Sequence, residues 1–174
     1  MKHFQHSPIH AAEHGFTILE LLVVITIILI LCAIGVMSAR TWLINARVEQ
    51  QIQQMYADLV NARSRAMNYN RIHFVQLNLA NSQYQIWDDT DPAPDGDGVL
   101  TPAKDTLLVS TITKIPLWVN PAALTLMQFD NRGVISATGT IGLTNTYKAR
   151  LDCITVSPTR IRLGRWDGVA NCVQ

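Results

Sequence analysis

The longest apolar run of the chain covers residues 15–38, and it contains a single charged residue, Glu20. A helix needs about 20 apolar residues to cross the hydrocarbon core of a bilayer, so the run predicts a membrane-spanning helix. A carboxylate inside such a helix is costly unless it finds a partner. The position of Glu20 near the start of the run therefore needs a functional explanation.

Apolar residues continue to recur after this run, at the three- and four-residue steps of one helix face. They are Ile52, Met55, Tyr56, Leu59, Ala66 and Met67. Polar residues, glutamines above all, fill the other face, and no proline interrupts residues 17–69. The pattern predicts one long helix whose first half lies in lipid and whose second half packs on a domain. A coiled-coil seam is the alternative, but the repeat is too short to sustain one.

The period changes to two after residue 72, which is typical of strands. Val75, Leu77 and Leu79 alternate with polar residues, and a turn signal at Asn81–Ser82 precedes a returning strand over residues 83–87. Further strands are predicted over residues 106–113, 124–129, 133–136, 149–156 and 159–165. A long N-terminal helix on a mostly antiparallel sheet is an α+β architecture.

The composition is that of one ordinary domain attached to the apolar run. The chain has 174 residues, with 14 Lys and Arg against 13 Asp and Glu. Because the formal net charge is only +1, no overall field draws the chain to nucleic acid or to a membrane surface, and such binding needs a local patch. No motif of a serine hydrolase, zinc protease or phosphate-binding loop occurs, so we expect neither an enzyme nor a cofactor.

Of the three cysteines, Cys32 lies in the apolar run, whereas Cys153 and Cys172 lie near the C-terminus. We interpret Cys32 as a small apolar residue that packs within the helix. If the C-terminal part is exported, Cys153 and Cys172 are candidates for a disulfide. In a reducing compartment they would remain two thiols.

A motif marks the junction between the polar first residues and the apolar run. Gly15 is followed directly by FTILELL, residues 16–22. This motif resembles the class III signal of type IV pilins and of type II secretion pseudopilins. The resemblance implies that a prepilin peptidase removes residues 1–15, that Phe16 becomes the methylated N-terminus, and that Glu20 is the fifth residue of the mature chain.

The chemistry of the junction agrees with the role that the resemblance implies for Glu20. Cleavage after Gly15 creates a positive amine on Phe16, and the Glu20 carboxylate of a neighbouring subunit could pair with it among apolar helices. Because removing one partner of a buried ion pair costs about 3–5 kcal/mol, the pair would favour one axial register. A plain single-pass anchor with an isolated glutamate is the alternative.

The resemblance implies the pilin fold, the same α+β architecture that the residue patterns predict. We expect a cleaved leader at residues 1–15, a transmembrane assembly helix at 16–39, an amphipathic helix at 40–70 and a β-rich periplasmic domain at 71–174. Within the family the chain is most similar to the GspH and FimT group of minor pilins and pseudopilins. The run NARSRAM, residues 61–67, ends the helix there, and short strands follow it.

The function implied by the resemblance is structural. The chain would be a minor pilin or pseudopilin of the inner membrane that enters or primes a type IV pilus or a type II secretion pseudopilus. The implied partners are other pilins or pseudopilins, the prepilin peptidase and the inner-membrane assembly platform. Two alternatives are a DNA-uptake minor pilin and a membrane-anchored domain that never polymerises.

An acidic loop between the second and third predicted strands offers candidate calcium ligands at Asp91, Asp95 and Asp97. The EF-hand spacing fails here, because Ala93 occupies a ligand position and no glutamate closes the loop. A solvated surface loop is the alternative.

A basic cluster in the last strands supplies the candidate DNA-binding residues. They are Lys148, Arg150, Arg160, Arg162 and Arg165. Arg160 and Arg162 alternate with Ile161 and Leu163, so both are predicted to face solvent from one side of a strand, where guanidiniums could contact phosphates. FimT-type pilins that bind DNA carry a G-R-x-R motif, and residues 159–162, TRIR, are similar but have threonine in place of glycine. An ordinary solvated strand face is the alternative.

Overall fold

The structure is a computed structural model that describes residues 16–94, 96–144, 149–169 and 172–173, without the side chains of residues 35–38. The chain divides into two compact units, Met1–Arg40 and Thr41–Gln174. The predicted leader, residues 1–15, lies outside the described residues. The domain boundaries predicted from the sequence remain predictions.

Helix α1 (Ile18–Tyr69) confirms the long helix predicted over residues 17–69. Thr17 begins it, because its hydroxyl oxygen accepts a hydrogen bond from the backbone N–H of Glu20 at 3.2 Å. A threonine followed three residues later by a glutamate is the sequence pattern of a helix N-terminus, and an acidic residue in the first turn suits the helix dipole. In the described residues α1 is the one helix that is long and apolar enough to cross a membrane, with a mean hydropathy of 3.0 over an 18-residue window.

The C-terminal unit adds two antiparallel sheets to the second half of α1. Its strands are β1 (His73–Asn78), β2 (Gln83–Asp88), β3 (Thr106–Ile112), β4 (Leu117–Asn120), β5 (Leu126–Phe129), β6 (Gly139–Leu143), β7 (Cys153–Ser157), β8 (Arg160–Trp166) and β9 (Cys172–Val173). The first sheet has the order β3-β2-β1-β5, and the second sheet has the order β4-β6-β7-β8-β9. The predicted α+β architecture is therefore correct.

One apolar core joins α1 to the inner faces of both sheets in this unit. The helix contributes Val48, Ile52, Met55, Leu59, Ala62 and Ala66, all buried. The first sheet contributes side chains such as Val75 and Ile86, and the second contributes Ile141 and Ile154. The predicted helix face is correct except at Met67, which is 45% exposed.

The strand predictions fail mainly where glycine or proline interrupts the pattern. No strand forms over residues 133–136, where only Ile135 makes an isolated bridge to Phe129. The strand predicted over 149–156 begins at Cys153 instead. Strand β6 was missed, because its sequence GTIGL contains two glycines, which usually weaken strands. The core of the second sheet nevertheless buries Ile141 completely, and this burial outweighs the weak local preference.

Candidate functional site

The apolar half of α1 exposes its side chains on all sides in this structure. From Phe16 to Ile34, the large apolar side chains are 44–86% exposed. An apolar surface of this extent marks a membrane or partner contact rather than a solvated helix. Glu20 lies in the first turn of this surface, and Phe16 precedes it with 82% exposure. Gly15 lies outside the described residues, so cleavage there and the pairing of Glu20 remain predictions.

The structure confirms the disulfide between Cys153 and Cys172, whose Cα atoms are 6.0 Å apart. Cys153 begins β7 and is fully buried, and Cys172 begins β9 at the far edge of the second sheet. The bond therefore ties the short last strand to the interior of the sheet. Cys32 is a free, exposed thiol on α1.

The predicted basic cluster is divided by the structure. Arg160 and Arg162 lie on the outer face of β8, because Ile161 and Leu163 between them pack against the core. Their prediction as a pair on one outward face is correct. Arg160 is exposed, whereas Arg162 is half-buried.

The other members of the cluster lie elsewhere. Arg165 is an odd number of residues from Arg162 and so projects from the opposite side of β8. With Arg150 it borders a shallow recess of about 230 Å³. Lys148 lies outside the described residues. The four described candidates therefore form two separate pairs, Arg160 with Arg162 and Arg150 with Arg165, and DNA binding remains a prediction.

Two tryptophans that sequence reasoning missed lie on the same outer face as Arg160 and Arg162. The register aligns Trp118, Gly142, Cys153 and Gly164 across β4, β6, β7 and β8. Trp166 is two residues beyond Gly164, and its ring contacts that of Trp118 edge to face, with centroids 4.5 Å apart at 61°.

We call this surface the arginine–tryptophan face. Its members are Trp118, Asn120, Thr140, Gly142, Cys153, Thr155, Ser157, Arg160, Arg162, Gly164 and Trp166. Their pairing comes from contacts distant in sequence, which explains why composition and local periodicity did not bring them together.

Glycine makes room for the tryptophan pair. A Cβ atom at Gly142 would overlap the Trp118 ring, so the indole lies directly on the backbone of β6. The backbone N–H of Trp166 donates to Asp152 at 2.7 Å, which holds the other indole at the end of β8. Both tryptophans are half-buried and keep part of their rings in solvent.

Two carboxylates of the acidic loop accept hydrogen bonds from its backbone. The fully buried carboxylate of Asp89 accepts backbone N–H bonds from Gly98 at 2.7 Å and from Asp97 at 3.3 Å. Burial raises the pKa of Asp89, and these two hydrogen bonds oppose the rise. The carboxylate of Asp105 likewise accepts backbone N–H bonds from Thr90 and Thr101.

The candidate calcium ligands are not assembled in the described part of the loop. Asp91 pairs with Lys104 at 3.1 Å, and Asp97 accepts the backbone N–H of Val99 at 2.9 Å. Among the described residues no three His, Cys, Asp or Glu side chains are placed to hold a metal ion. Asp95 lies outside the described residues, so the calcium hypothesis remains a prediction.

A buried histidine lies where α1 gives way to the first sheet. His73 is fully buried, and its Nε2 is 3.8 Å from Asp88, whose other oxygen pairs with Arg71 at 3.3 Å. Burial lowers the pKa of His73 below its usual value, against the raising effect of Asp88. We therefore interpret His73 as neutral near pH 7, so its contact with Asp88 is not an ion pair there.

The long N-terminal helix laid on antiparallel sheets defines the class of pilin-like proteins. Two solved structures share this fold. The minor pseudopilin EpsH from the type 2 secretion system of Vibrio cholerae is 12% identical, with a TM-score of 0.50, over 68% of this chain and 97% of that chain. The type IV minor pilin FimU of Pseudomonas aeruginosa is 18% identical, with a TM-score of 0.50, over 66% of this chain and 90% of that chain. At these identities the likeness shows the fold alone.

The family follows from the sequence models. The model described as type II transport protein GspH matches residues 51–160, more than half of the chain, and the chain belongs to this family. The prokaryotic N-terminal methylation motif matches residues 10–36, which confirms the motif recognised around Gly15 and Phe16. No curated protein sequence matches the chain significantly. Membership of this family of type II transport proteins confirms the prediction that the chain is not an enzyme.

Proposed function

We propose that the chain is a minor pilin or pseudopilin subunit that enters or primes a filament through the apolar half of α1. A prepilin peptidase would cleave it after Gly15 and methylate Phe16. The observation that carries the proposal is the methylation motif placed directly before a helix whose apolar side chains are exposed on all sides. In the membrane lipid covers that surface, and in a filament the helices of neighbouring subunits cover it.

Glu20 is the residue on which assembly depends in this proposal. The amine of a neighbouring Phe16 supplies the partner that a carboxylate among apolar helices needs. The helix cap at Thr17 gives a local role to the backbone N–H of Glu20, but it leaves the carboxylate without a stabilising partner in lipid. Charge pairing and the cap are therefore separable by mutation.

We assign the described segments to compartments on the same basis. Residues 16–39 would lie in the inner membrane, residues 40–70 would continue the helix as its amphipathic part, and residues 71–174 would form the periplasmic domain. The partners would be other pilins or pseudopilins, the peptidase and the assembly platform.

The test begins with mass spectrometry of the mature N-terminus. A methylated Phe16 is expected, and an intact Met1 or a cut at another position would contradict the proposal. Glu20→Gln is then expected to leave cleavage intact and to abolish incorporation into sheared filaments, because glutamine keeps the backbone cap but loses the charge. Cys32→Ser is the matched control, since it adds a polar group to the same helix and leaves Glu20 in place. Normal incorporation of Glu20→Gln would overturn the role of the ion pair.

Cleavage without any incorporation of the wild-type chain would instead favour the membrane-anchored domain that never polymerises. Loss of pilus-dependent motility or loss of protein secretion in a deletion strain would distinguish the two kinds of filament.

A further inference from the structure

We propose that the arginine–tryptophan face binds an anionic polysaccharide, specifically a polymer of uronic-acid sugars. Such a polymer offers three chemical features in each unit: a carboxylate, several hydroxyls and an apolar ring face made of C–H groups. The outer face of the second sheet presents a matching group for each feature. This inference does not depend on the proposed role in a filament.

The charge of the face selects an anion. Arg160 and Arg162 are its only charged residues, and none of its eleven members is acidic. In the described residues the ion pairs join Arg71 and Lys104 to aspartates, so neither arginine of the face is used in one. The carboxylates at the indole end of β8 are Asp152, which accepts the backbone N–H of Trp166, and Asp167, which accepts that of Val169. Guanidinium groups bind carboxylates through paired hydrogen bonds.

Arg162 is more enclosed than Arg160. Its Nε is buried without a hydrogen-bond partner among the described residues, and the side chain as a whole is half-buried. Because this side chain is already partly buried, ligand binding removes less of its conformational entropy. Arg160, two residues away on the same face, is about 7 Å further along the strand.

The indoles supply the apolar contact. The ring centroids of Trp118 and Trp166 are 4.5 Å apart, and both rings remain partly exposed. The other members of the face are small or polar. Half-exposed aromatic rings bury large apolar areas at a small entropic cost when a ligand covers them. The glycine under Trp118 and the disulfide at Cys153 restrict the position of this pair.

Neutral polar groups flank the arginines and favour a sugar over a nucleic acid. Thr155 lies opposite Arg162, and Ser157 lies opposite Arg160, so each guanidinium has a hydroxyl neighbour on the next strand. Proteins that bind duplex DNA typically neutralise about 6–10 phosphates, which demands a dense basic stripe. Two arginines among hydroxyls, in a chain of formal net charge +1, fit a sparsely charged, hydroxyl-rich polymer better.

The test measures binding of the full chain in detergent to immobilised alginate, a polyuronate. Dextran serves as the uncharged polysaccharide, and single- and double-stranded DNA serve as the other polyanions. We expect alginate to bind, dextran not to bind and added salt to weaken the interaction. Arg160→Gln/Arg162→Gln should weaken binding at least tenfold, because each charged hydrogen bond contributes substantially. Trp118→Leu should weaken it by a similar factor, and Trp118→Phe should restore most of it.

Arg47→Gln/Arg132→Gln is the matched control, since it removes the same charge from exposed positions outside the face. It should leave alginate binding unchanged. Circular dichroism of each variant checks that the fold is retained. The proposal is overturned if alginate does not bind, if dextran binds equally well, or if the control lowers binding as much as Arg160→Gln/Arg162→Gln does. Tighter binding of either DNA than of alginate would overturn it in favour of a nucleic-acid site.

Discussion

The outer faces of the two sheets differ in chemistry although their inner faces share one core. On the first sheet this face carries Phe74, Gln76, Asn78, Gln83, Gln85, Trp87, Leu107, Ser110, Ile112, Leu126 and Gln128. None of them is charged, and Phe74 and Trp87 are buried there. On the second sheet the outer face carries Arg160 and Arg162 together with a half-buried indole pair. The core determines which residues point inward, but it leaves the outward residues free to take on different chemistry.

The two sheets also differ in the interactions that stabilise them. In the first sheet β1 begins at a buried titratable group, His73, and the Asp89 carboxylate binds the backbone of the loop between β2 and β3. The second sheet is held by the Cys153–Cys172 disulfide and by glycines that admit Trp118. We therefore expect acid to act mainly on the first sheet and reduction to act mainly on the second.

The largest expected effect is loss of the disulfide. Cys153→Ser/Cys172→Ser should lower the free energy of unfolding by about 3 kcal/mol, because the closed loop restricts the unfolded chain. The two residues are 19 positions apart. Urea unfolding of the full chain in detergent measures the loss, with Cys32→Ser as the control. Hydrogen exchange should accelerate in β7–β9 before β1 and β2, and equal acceleration in both sheets would remove the distinction between them.

Gly142→Ala should have the next largest effect. The added methyl group would overlap the Trp118 ring, and overpacking of this kind typically costs about 1–3 kcal/mol. Near-ultraviolet circular dichroism should report the displaced indole, and urea unfolding should report the lost stability. Ser157→Ala on the same face is the control and should be nearly neutral. An unchanged aromatic signal in Gly142→Ala would show that the tryptophan pair is not seated on the glycine.

A smaller effect, on the first sheet, is expected from acid. Because the pKa of His73 is lowered in the fold, the unfolded chain binds more protons, and stability should fall as the pH drops below about 6.5. The charged groups facing the ring are Asp88, Arg71 and Arg65. Unfolding measured between pH 7 and pH 5 should show a flatter dependence in His73→Gln than in the wild type.

Asp89 requires a separate control in that experiment. The pKa of Asp89 is raised in the fold, so its effect on stability is opposite in sign to that of His73. Its contribution to stability is fully present below about pH 3.8 and is lost as the pH rises through the pKa of the folded state. The difference between wild type and His73→Gln cancels this contribution. Parallel curves for the two proteins would show that His73 does not make the first sheet acid-sensitive.

The smallest effect is expected on the outer face of the first sheet. Gln76→Ala should change the free energy of unfolding by less than about 0.5 kcal/mol, because no packed core or buried partner is lost. It should also leave alginate binding unchanged. A large loss of stability would show that the Gln76 side chain itself stabilises the first sheet.

Local pattern predicted some elements of the fold well and others poorly. The helix and strands β1, β2, β3 and β8 follow from runs whose own periodicity matches their structure. Strand β4 was missed because it has four residues and lies between Pro116 and Pro121, and β6 was missed because of its glycines. Both strands form because their partners in the second sheet bury them, and a single segment read alone does not show its partners.

The sequence by itself determined the N-terminal motif, the exposed apolar helix with Glu20 and the choice of Cys153 and Cys172 as partners. These features depend on residues close together in the chain or on residue types too few to permit other choices. Only the tertiary structure decided that Arg160 and Arg162 share a face with Trp118 and Trp166 while Arg165 lies on the other side. That arrangement depends on the register of four strands and on the alternation of side chains across them. A shift of one residue in that register would have moved every one of these side chains to the opposite face.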